Sequence, residues 1–399
     1  MISITTLADI VWRIVRTSPF DSIRPEICHS SVYQLEGKTK PSKSNLSTII
    51  FGKKESAEYF SKLIYVDEPQ IKFLGKRTFS DIPLFVEKVT GDLTIVESNW
   101  SFSRFLFDNG FLILPQINFA LDITDSLEII HSRMASSKVR RINKIVKAGY
   151  TCEITKDPEK LRSFYYDMYL PHMFARHGKS ARPVSFSECK KLFLKGDLML
   201  IKQNQEGVAG IILVPHGNEL YQPLIAVKNA NKQITLGSYA ATYYTIIFGK
   251  QKGYASVDFG DAPPFLRDGL FQYKKEWGMQ IRPAMGYNAQ VFGIRFSNLS
   301  EAVKDFLSTN PFIFMDGRNL GGLILLNIAD RFSTNFSNIL GLSSLFVLSS
   351  DLNHLNLANS QLKKLTIEDH NAQTNTSLNY LINLCHERDC AVYNLTLKN

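Results

Sequence analysis

Strand-like and helix-like segments alternate along almost the whole chain, and this alternation constrains the fold more than any other feature. Apolar runs such as Ser47–Gly52 and Leu220–Val227 are followed by amphipathic stretches such as Leu236–Lys252. Alternation of this kind is typical of α/β and α+β proteins. The chain has 399 residues, of which 44% are hydrophobic, so we expect two or three domains that each bury a core.

The second half of the chain carries the signature of antiparallel pairing. The runs Asp197–Gln203 and Val208–Pro215 are separated only by Asn204-Gln205-Glu206-Gly207, which predicts a hairpin. A turn at His216-Gly217-Asn218 then leads into a third strand, Leu220–Val227. The sequence therefore predicts mixed, largely antiparallel sheets flanked by helices.

The net charge and the cysteines of the chain indicate which kinds of partner and which kinds of binding site to expect. The net charge of +9 favours anionic partners such as nucleic acid, phosphate-bearing cofactors or an anionic membrane face. Five cysteines, without C-x-x-C spacing, fit a reduced cytoplasm and predict no metal site. No apolar run is long enough to span a membrane and no signal peptide is apparent, so we expect a cytoplasmic protein for which peripheral membrane contact stays possible.

The window from Leu220 to Gly278 contains the first group of candidate site residues, where a strand leads through a polar loop into a helix. The N-terminus of a helix exposes unpaired N–H groups, and these can hold a phosphate or an acyl carbonyl. A plain capped helix is the alternative interpretation. The candidate donor-binding residues are Lys232, Gln233, Gly237, Ser238 and Tyr239.

Two carboxylates around a glycine form the second group. Asp258 and Asp261 lie at the end of the predicted strand Ser256–Phe259, where a sheet fixes side chains that a loop leaves accessible. Either could accept a proton from an amine nucleophile. The alternative is a pair of aspartates that only form a turn and cap a helix.

The predicted helix Phe265–Gly278 supplies the third group. Leu266, Leu270, Tyr273 and Trp277 share one helical face, which is most simply core. Lys274 lies one step off that face and could stabilise an oxyanion or a phosphate, while the Tyr273 hydroxyl could protonate a leaving group.

A basic stretch forms the fourth group, on a predicted helix from about Ser126 to Ala148. No acidic residue occurs between Ile129 and Cys152. A basic stripe with Ala135, Val139, Ile142 and Val146 on the opposite face could bind RNA phosphates or an anionic substrate, although a solvated face has the same pattern. The candidate RNA- or anion-binding residues are Arg133, Arg140, Arg141 and Lys144, and Lys147 continues their stripe.

The order of these motifs resembles the FemABX-like and CelD-like branch of the GNAT acyltransferase superfamily. Upstream, Arg140-Arg141-Ile142-Asn143-Lys144 followed by Lys147-Ala148-Gly149 resembles the helix that joins the two halves of that fold. Downstream, the motifs that match the family's ending are Gly237-Ser238-Tyr239-Ala240-Ala241, Gly253-Tyr254, Asp258-Phe259-Gly260, Gly269-Leu270-Phe271-Gln272-Tyr273-Lys274 and Trp277-Gly278.

This resemblance implies an α/β (α+β) fold of two tandem GNAT-like domains: a degenerate one at 1–125 and an acyltransferase domain at 126–331. A small α/β extension would follow at 332–399. The implied activity is transfer of an acyl or aminoacyl group to a small-molecule or peptide amine without a covalent intermediate. Acyl-CoA or aminoacyl-tRNA would be the co-substrate, with no tightly bound cofactor. In the FemABX-like enzymes an aromatic-Lys pair assists transfer, and this pair falls on Tyr273-Lys274. In acetyl-CoA users a tyrosine protonates the departing thiolate, and this position falls on Tyr273.

The loop before Gly237 departs from the acyl-CoA users of the superfamily. The R/Q-x-x-G-x-G/A loop is not present, because Gly237 follows Gln233 one residue late. The chain also has no room for the coiled-coil insertion of the enzymes that build peptidoglycan bridges. Two alternatives to an N-acyltransferase or aminoacyltransferase therefore stay open: an inactive GNAT-like module that binds RNA or a protein, and an envelope-polysaccharide acetyltransferase.

Overall fold

The computed structural model describes residues 29–78, 81–88, 91–100, 103, 110–178, 181–228, 236–284, 289–326, 336, 339–349, 362–364, 376–386 and 391–395. Its strands are β1 (His29–Lys38), β2 (Asn45–Phe51), β3 (Gln70–Thr78), β4 (Leu93–Asn99), β5 (Phe111–Ile113), β6 (Ile117–Asp122), β7 (Thr151–Thr155), β8 (Asp197–Gln203), β9 (Glu206–His216), β10 (Glu219–Val227), β11 (Ser256–Ala262), β12 (Gln280–Pro283), β13 (Gln290–Phe296), β14 (Phe312–Asp316), β15 (Asn319–Leu325), β16 (Ser344–Ser349), β17 (Leu362–Lys364) and β18 (Ala391–Leu395).

The helices lie between these strands. They are α1 (Lys54–Ile64), α2 (Ile82–Lys88), α3 (Leu127–Arg133), α4 (Ser136–Lys147), α5 (Pro158–Ser163), a π-helix (Phe164–Tyr169), α6 (Leu170–His177), α7 (Phe186–Lys195), α8 (Leu236–Gln251), α9 (Gly269–Glu276), α10 (Glu301–Thr309) and α11 (Thr376–His386).

The strands form three sheets that are mainly antiparallel, which confirms the predicted fold class. The first sheet has the order β3-β1-β2-β4-β13-β5, the second β12-β6-β11-β10-β9-β8-β7, and the third β14-β15-β16-β18-β17. The predicted hairpin is present as β8 and β9, which pair antiparallel. Its turn has positive φ angles at Asn204 and Gln205, as a two-residue hairpin loop requires.

The first two sheets share one pattern of strand directions, and each contains a strand from the other half of the chain. A parallel pair lies inside each sheet, β2 with β4 and β10 with β11. Next to it comes an antiparallel strand from elsewhere in the chain, β13 beside β4 and β6 beside β11. The two sheets therefore exchange strands across the predicted boundary at 125/126, and the division into 1–125, 126–331 and 332–399 stays a prediction.

The third sheet lies between the cores of the other two. Along β14, Phe312 and Phe314 belong to the core of the first sheet, while Ile313 and Met315 belong to the core of the second. Because successive side chains of a strand point to opposite faces, each face of the third sheet packs on one half of the protein. This sheet begins at Phe312, upstream of the predicted extension.

The second sheet buries its two faces unequally. One face packs on α4, α8 and α9 along its whole width. On the other face, α5, the π-helix and α7 cover β8, β9 and β10. The outer strands β6, β11 and β12 carry polar side chains on this second face, called the open face below, among them Asn118, Ser256 and Arg282.

The predicted single helix from Ser126 to Ala148 is wrong, because the structure has two helices, α3 and α4. Met134 and Ala135 between them are extended, and the Ala135 N–H donates to the carbonyl of Glu276 at 2.8 Å. The predicted apolar face is also shifted. Val146 is 56% exposed, whereas Lys138 and Ile145 are buried.

Candidate functional site

A wedge opens in the second sheet between its two parallel strands. Paired residues of β10 and β11 extend only as far as Tyr221 and Asp258. Beyond that point the register of β10 against β9 shifts before Leu224, and the register of β11 against β6 shifts before Asp261. Irregularities of this kind bend strands. Residues 222–227 and 259–262 line this wedge, where backbone N–H and C=O groups can pair with a ligand.

Lys274 holds the irregular end of β11. Its Nζ donates to the carbonyls of Phe259 at 3.0 Å and Asp261 at 2.8 Å, and lies 5.4 Å from the centroid of the Phe119 ring on β6. Gly260 between those carbonyls has a φ of 73°, which an L side chain rarely adopts. Burial lowers the pKa of Lys274 to about 8. The sequence predicts this amine beside a cleft, and the structure places it buried at the end of β11, which borders the wedge.

Tyr273 points from the same helix toward α8. Its hydroxyl is 3.1 Å from the Thr242 Oγ1, which in turn donates to the carbonyl of Ser238 at 3.2 Å. Since the single proton of Thr242 is used in that bond, the phenol is the donor between the two. Burial raises the pKa of Tyr273 to about 12.

A cationic and aromatic cluster packs against Tyr273. The Lys138 Nζ lies 4.5 Å from the centroid of the Tyr273 ring and 4.9 Å from that of Tyr239. Lys138 is buried and pairs with Glu276 at 2.7 Å. Arg141 covers the Tyr239 ring at 4.6 Å. Cations over aromatic faces at these distances are stabilising, so this cluster fixes Tyr273 between α4, α8 and α9.

Asp258 and Asp261 lie on the open face, in a network of polar side chains. The Asp258 Oδ1 accepts from the Asn118 Nδ2 at 2.9 Å and from the Gly260 N–H at 2.7 Å. Its Oδ2 accepts from Arg282 at 3.0 Å. The carboxylate of Asp261 accepts from the Asn118 Nδ2 at 2.9 Å. Lys274 reaches the backbone of Asp261, so the structure brings Asp258, Asp261 and Lys274 to one end of β11, whereas Tyr273 contacts α8.

The candidate donor-binding residues are only partly visible. Lys232 and Gln233 lie outside the described residues. Gly237, Ser238 and Tyr239 form the first turn of α8, where Gly237 and Tyr239 are buried. This turn lies beside Tyr273, because the rings of Tyr239 and Tyr273 are 5.6 Å apart.

The basic residues do not form one stripe. Arg133 belongs to α3 and pairs with Asp125, while Arg140, Arg141 and Lys144 belong to α4. Arg140 and Lys144 are exposed, and neither forms an ion pair with any residue in the described ranges. Arg140, Arg141 and Lys144 are therefore exposed together on one helix, where Lys147 extends the basic surface.

Among the described residues, no three His, Cys, Asp or Glu side chains are grouped as metal ligands. Within the same ranges, no helix combines the length and the apolar character needed to cross a bilayer.

The depressed pKa of Lys274 predicts a measurable dependence of stability on pH. Between pH 8 and 10.5 this lysine is protonated in the unfolded chain and largely neutral in the folded one. The unfolded state then binds more protons, so stability rises with pH across this window, by about 3 kcal/mol for such a shift. Lys274→Met should lose this rise. Urea unfolding of both chains at pH 8 and pH 10.5 measures it, and parallel pH profiles would contradict it.

Comparisons with known proteins give no match by sequence and several by structure. No family model and no curated protein sequence matches the chain. FemX shares 15% identity and a TM-score of 0.37, over 66% of this chain and 84% of its own. L-PGS from Bacillus licheniformis shares 14% sequence identity with this chain at a TM-score of 0.34. The match covers 69% of this chain and 88% of L-PGS.

A GCN5-related N-acetyltransferase from Sphaerobacter thermophilus shares 8% identity and a TM-score of 0.31, over 63% of this chain and 72% of its own.

Proposed function

We propose that the chain transfers an acyl or aminoacyl group to the amine of a small molecule or peptide, by direct attack inside the wedge. The observation that carries the proposal is Lys274, a buried amine fixed by two strand-end carbonyls at the opening of a parallel pair. An ammonium has three N–H groups, and two of them hold the strand end. The third can stabilise the oxyanion that forms when an amine attacks the donor carbonyl.

The other groups near the wedge supply the proton transfers. The attacking nitrogen forms a bond to the acyl carbon, and the bond from that carbon to the donor oxygen or sulfur breaks. We assign the proton lost by the nitrogen to Asp261, because both oxygens of Asp258 already accept hydrogen bonds. We assign the proton gained by the leaving group to the Tyr273 hydroxyl, which exchanges its bond to Thr242 for one to that group.

The raised pKa of Tyr273 favours an ester over a thioester as the donor. A phenol with a pKa of about 12 is a weak acid, and it matches a strongly basic alkoxide leaving group better than a thiolate. The missing acyl-CoA loop near Gln233 and Gly237 favours the same choice. Aminoacyl-tRNA, in which an ester joins the amino acid to ribose, is therefore the preferred donor.

A thermal-shift titration with acetyl-CoA, free CoA, charged tRNA and uncharged tRNA tests this choice. A ligand at about 100 times its Kd should add about 2.7 kcal/mol of stability. We expect charged tRNA to stabilise the protein more than uncharged tRNA does. Stabilisation by acetyl-CoA or CoA alone would assign the chain to the acyl-CoA users, and no response to any of the four would remove the transferase proposal.

The exposed basic surface of α4 supports a second candidate, an RNA-binding module without catalysis. Arg140, Lys144 and Lys147 project from one helix without acidic partners in the described ranges. Binding through such residues weakens steeply with salt, because phosphates release counterions. Two results together would favour this candidate. The RNA affinity should fall with salt and be lost in the double variant Arg140→Ala/Arg141→Ala, and the parent chain should show no transfer activity.

A further inference from the structure

Asn118, on β6, was not recognised from the sequence, yet it connects the two candidate carboxylates. Its Nδ2 donates to the Oδ1 of Asp258 and to the Oδ1 of Asp261, each at 2.9 Å. An amide nitrogen carries two N–H groups, so both are used. Asn118 thereby fixes the position of Asp261 relative to Asp258, although the strand between them is irregular.

Arg282, on the neighbouring strand β12, fixes the orientation of that amide. The Arg282 Nε donates to the Asn118 Oδ1 at 2.5 Å, so the Nδ2 must face the carboxylates. The two terminal nitrogens of Arg282 donate to Glu219 at 2.9 Å each, and one also reaches Asp258. A guanidinium held by a bidentate carboxylate has little freedom to move. The network thus runs from Glu219 through Arg282 and Asn118 to Asp261.

The carboxylates of Asp258 and Asp261, at the end of this network, differ in how many of their oxygens already accept a hydrogen bond. Asp258 accepts on both oxygens, whereas Asp261 accepts on Oδ1 and is exposed. Its Oδ2 has no side-chain partner in the described part of the chain. The Asp261 carboxylate also lies near Tyr221, the last paired residue of β10, so it lies on the open face beside the wedge.

We propose that Asn118 is a positioning residue, which holds Asp261 so that its Oδ2 faces an amine entering the wedge from the open face. This inference rests on the proposed function, because it assigns Asp261 as the group that takes the proton from the attacking nitrogen. A base must lie within hydrogen-bond reach of the proton that it removes. A carboxylate on an irregular strand end needs a fixed donor to stay there, and Asn118 supplies it.

Several charged groups surround the pair formed by Asn118 and Asp261. Asp258 and Glu219 are the acidic ones, and Arg282 and Lys274 are the basic ones. Tyr221, on β10, faces both aspartates. A test must therefore remove the amide donor of Asn118 while it leaves these charges in place.

The test is carbon NMR at one fixed neutral pH of the protein labelled at the aspartate carboxyl carbons, in which Asp261→Asn identifies the Asp261 resonance. Asn118→Leu keeps the approximate size of the side chain and removes the N–H donor. The resonance of a carboxyl carbon depends on the hydrogen bonds that the carboxylate accepts. The Asp261 resonance should therefore move in Asn118→Leu, and an unmoved resonance would overturn the proposal.

Two further variants separate positioning from a general effect on folding. Gln280→Leu removes an exposed amide from the same face of β12 and should leave the Asp261 resonance unmoved. Arg282→Lys keeps the charge but deletes the Nε donor that orients Asn118, and should move the Asp261 resonance in the same direction as Asn118→Leu does. It keeps the inference testable if Asn118→Leu fails to fold, and an unmoved resonance in Arg282→Lys would then overturn it.

The activity of the same variants distinguishes this inference from the proposed function. With the donor and amine that give turnover, Asn118→Leu should lower kcat more than it raises KM. Turnover by Asn118→Leu with the kcat of the parent chain would overturn the inference alone. No turnover by the parent chain, with the NMR shift present, would overturn the proposed function alone.

Discussion

Lys274→Met is expected to lower turnover by about 10²–10³-fold, as removal of one oxyanion donor does in other enzymes. Methionine is unbranched and close to lysine in length, so it fills the same buried space without an amine. The variant loses the N–H that would stabilise the oxyanion, and also the two hydrogen bonds that hold Phe259 and Asp261 at the edge of the wedge. Both losses act on kcat more than on KM, since they matter most when negative charge develops.

Steady-state kinetics with the donor selected by the thermal-shift titration measure this effect. Lys190→Met is the matched control, because Lys190 is an exposed lysine on α7, away from the wedge. It should leave kcat within about twofold. Turnover by Lys274→Met at the parent rate would remove Lys274 from the mechanism. Far-UV circular dichroism of both variants checks that the fold is retained.

The secondary structure of the second sheet could be predicted from the sequence because its signals are local. The hairpin of β8 and β9, the strand β10 and the helix α8 have strong patterns and clear turns between them. The break between α3 and α4 could not be predicted in this way. Neither Met134 nor Ala135 disfavours a helix, and the break is stabilised by a bond from Ala135 to the distant Glu276.

The strand exchange between the first two sheets was also not predictable. Both β6 and β13 are apolar strands, and nothing in such a strand identifies which sheet it will join. The same limit applies to the C-terminal sheet, which contains β14 and β15 from before residue 332. Pairing of this kind depends on contacts between residues far apart in the chain.

The candidate site residues that lie close together in the chain could be predicted from the sequence. Those that come from several separate strands could not. Tyr273, Lys274, Asp258 and Asp261 are near each other in sequence, and Lys274 bonds the backbone of Asp261 at the end of β11, whereas Tyr273 points to Thr242 on α8. Their partners Asn118, Glu219 and Arg282 come from three other strands. Each is a single polar residue on a half-exposed strand, which is the usual pattern of a sheet with one solvated face. Their convergence follows only from the sheet order.

Ile294→Ala is expected to destabilise the whole chain by about 3 kcal/mol, and not only the first sheet. Ile294 is fully buried on β13, where it pairs with Ile95 on one side and Phe111 on the other. Truncation at such a site leaves a cavity among close-packed side chains. The effect should extend to the second sheet, because the halves exchange strands and pack on opposite faces of the third sheet.

The fluorescence of Trp277 reports on the unfolding of the second sheet in the same experiment. It is fully buried in the core that includes α8 and β11, and Trp12→Phe with Trp100→Phe leaves it as the single tryptophan of the chain. In urea, the Trp277 fluorescence and the circular dichroism of Ile294→Ala should shift together to a lower midpoint, as one cooperative transition requires. Ile154→Ala, at a 40% exposed position on the edge strand β7, should leave both midpoints almost unchanged. If Trp277 kept the parent midpoint while circular dichroism unfolded in two steps, the halves would be separate folding units, and the exchanged strands would not couple the wedge to the rest of the chain.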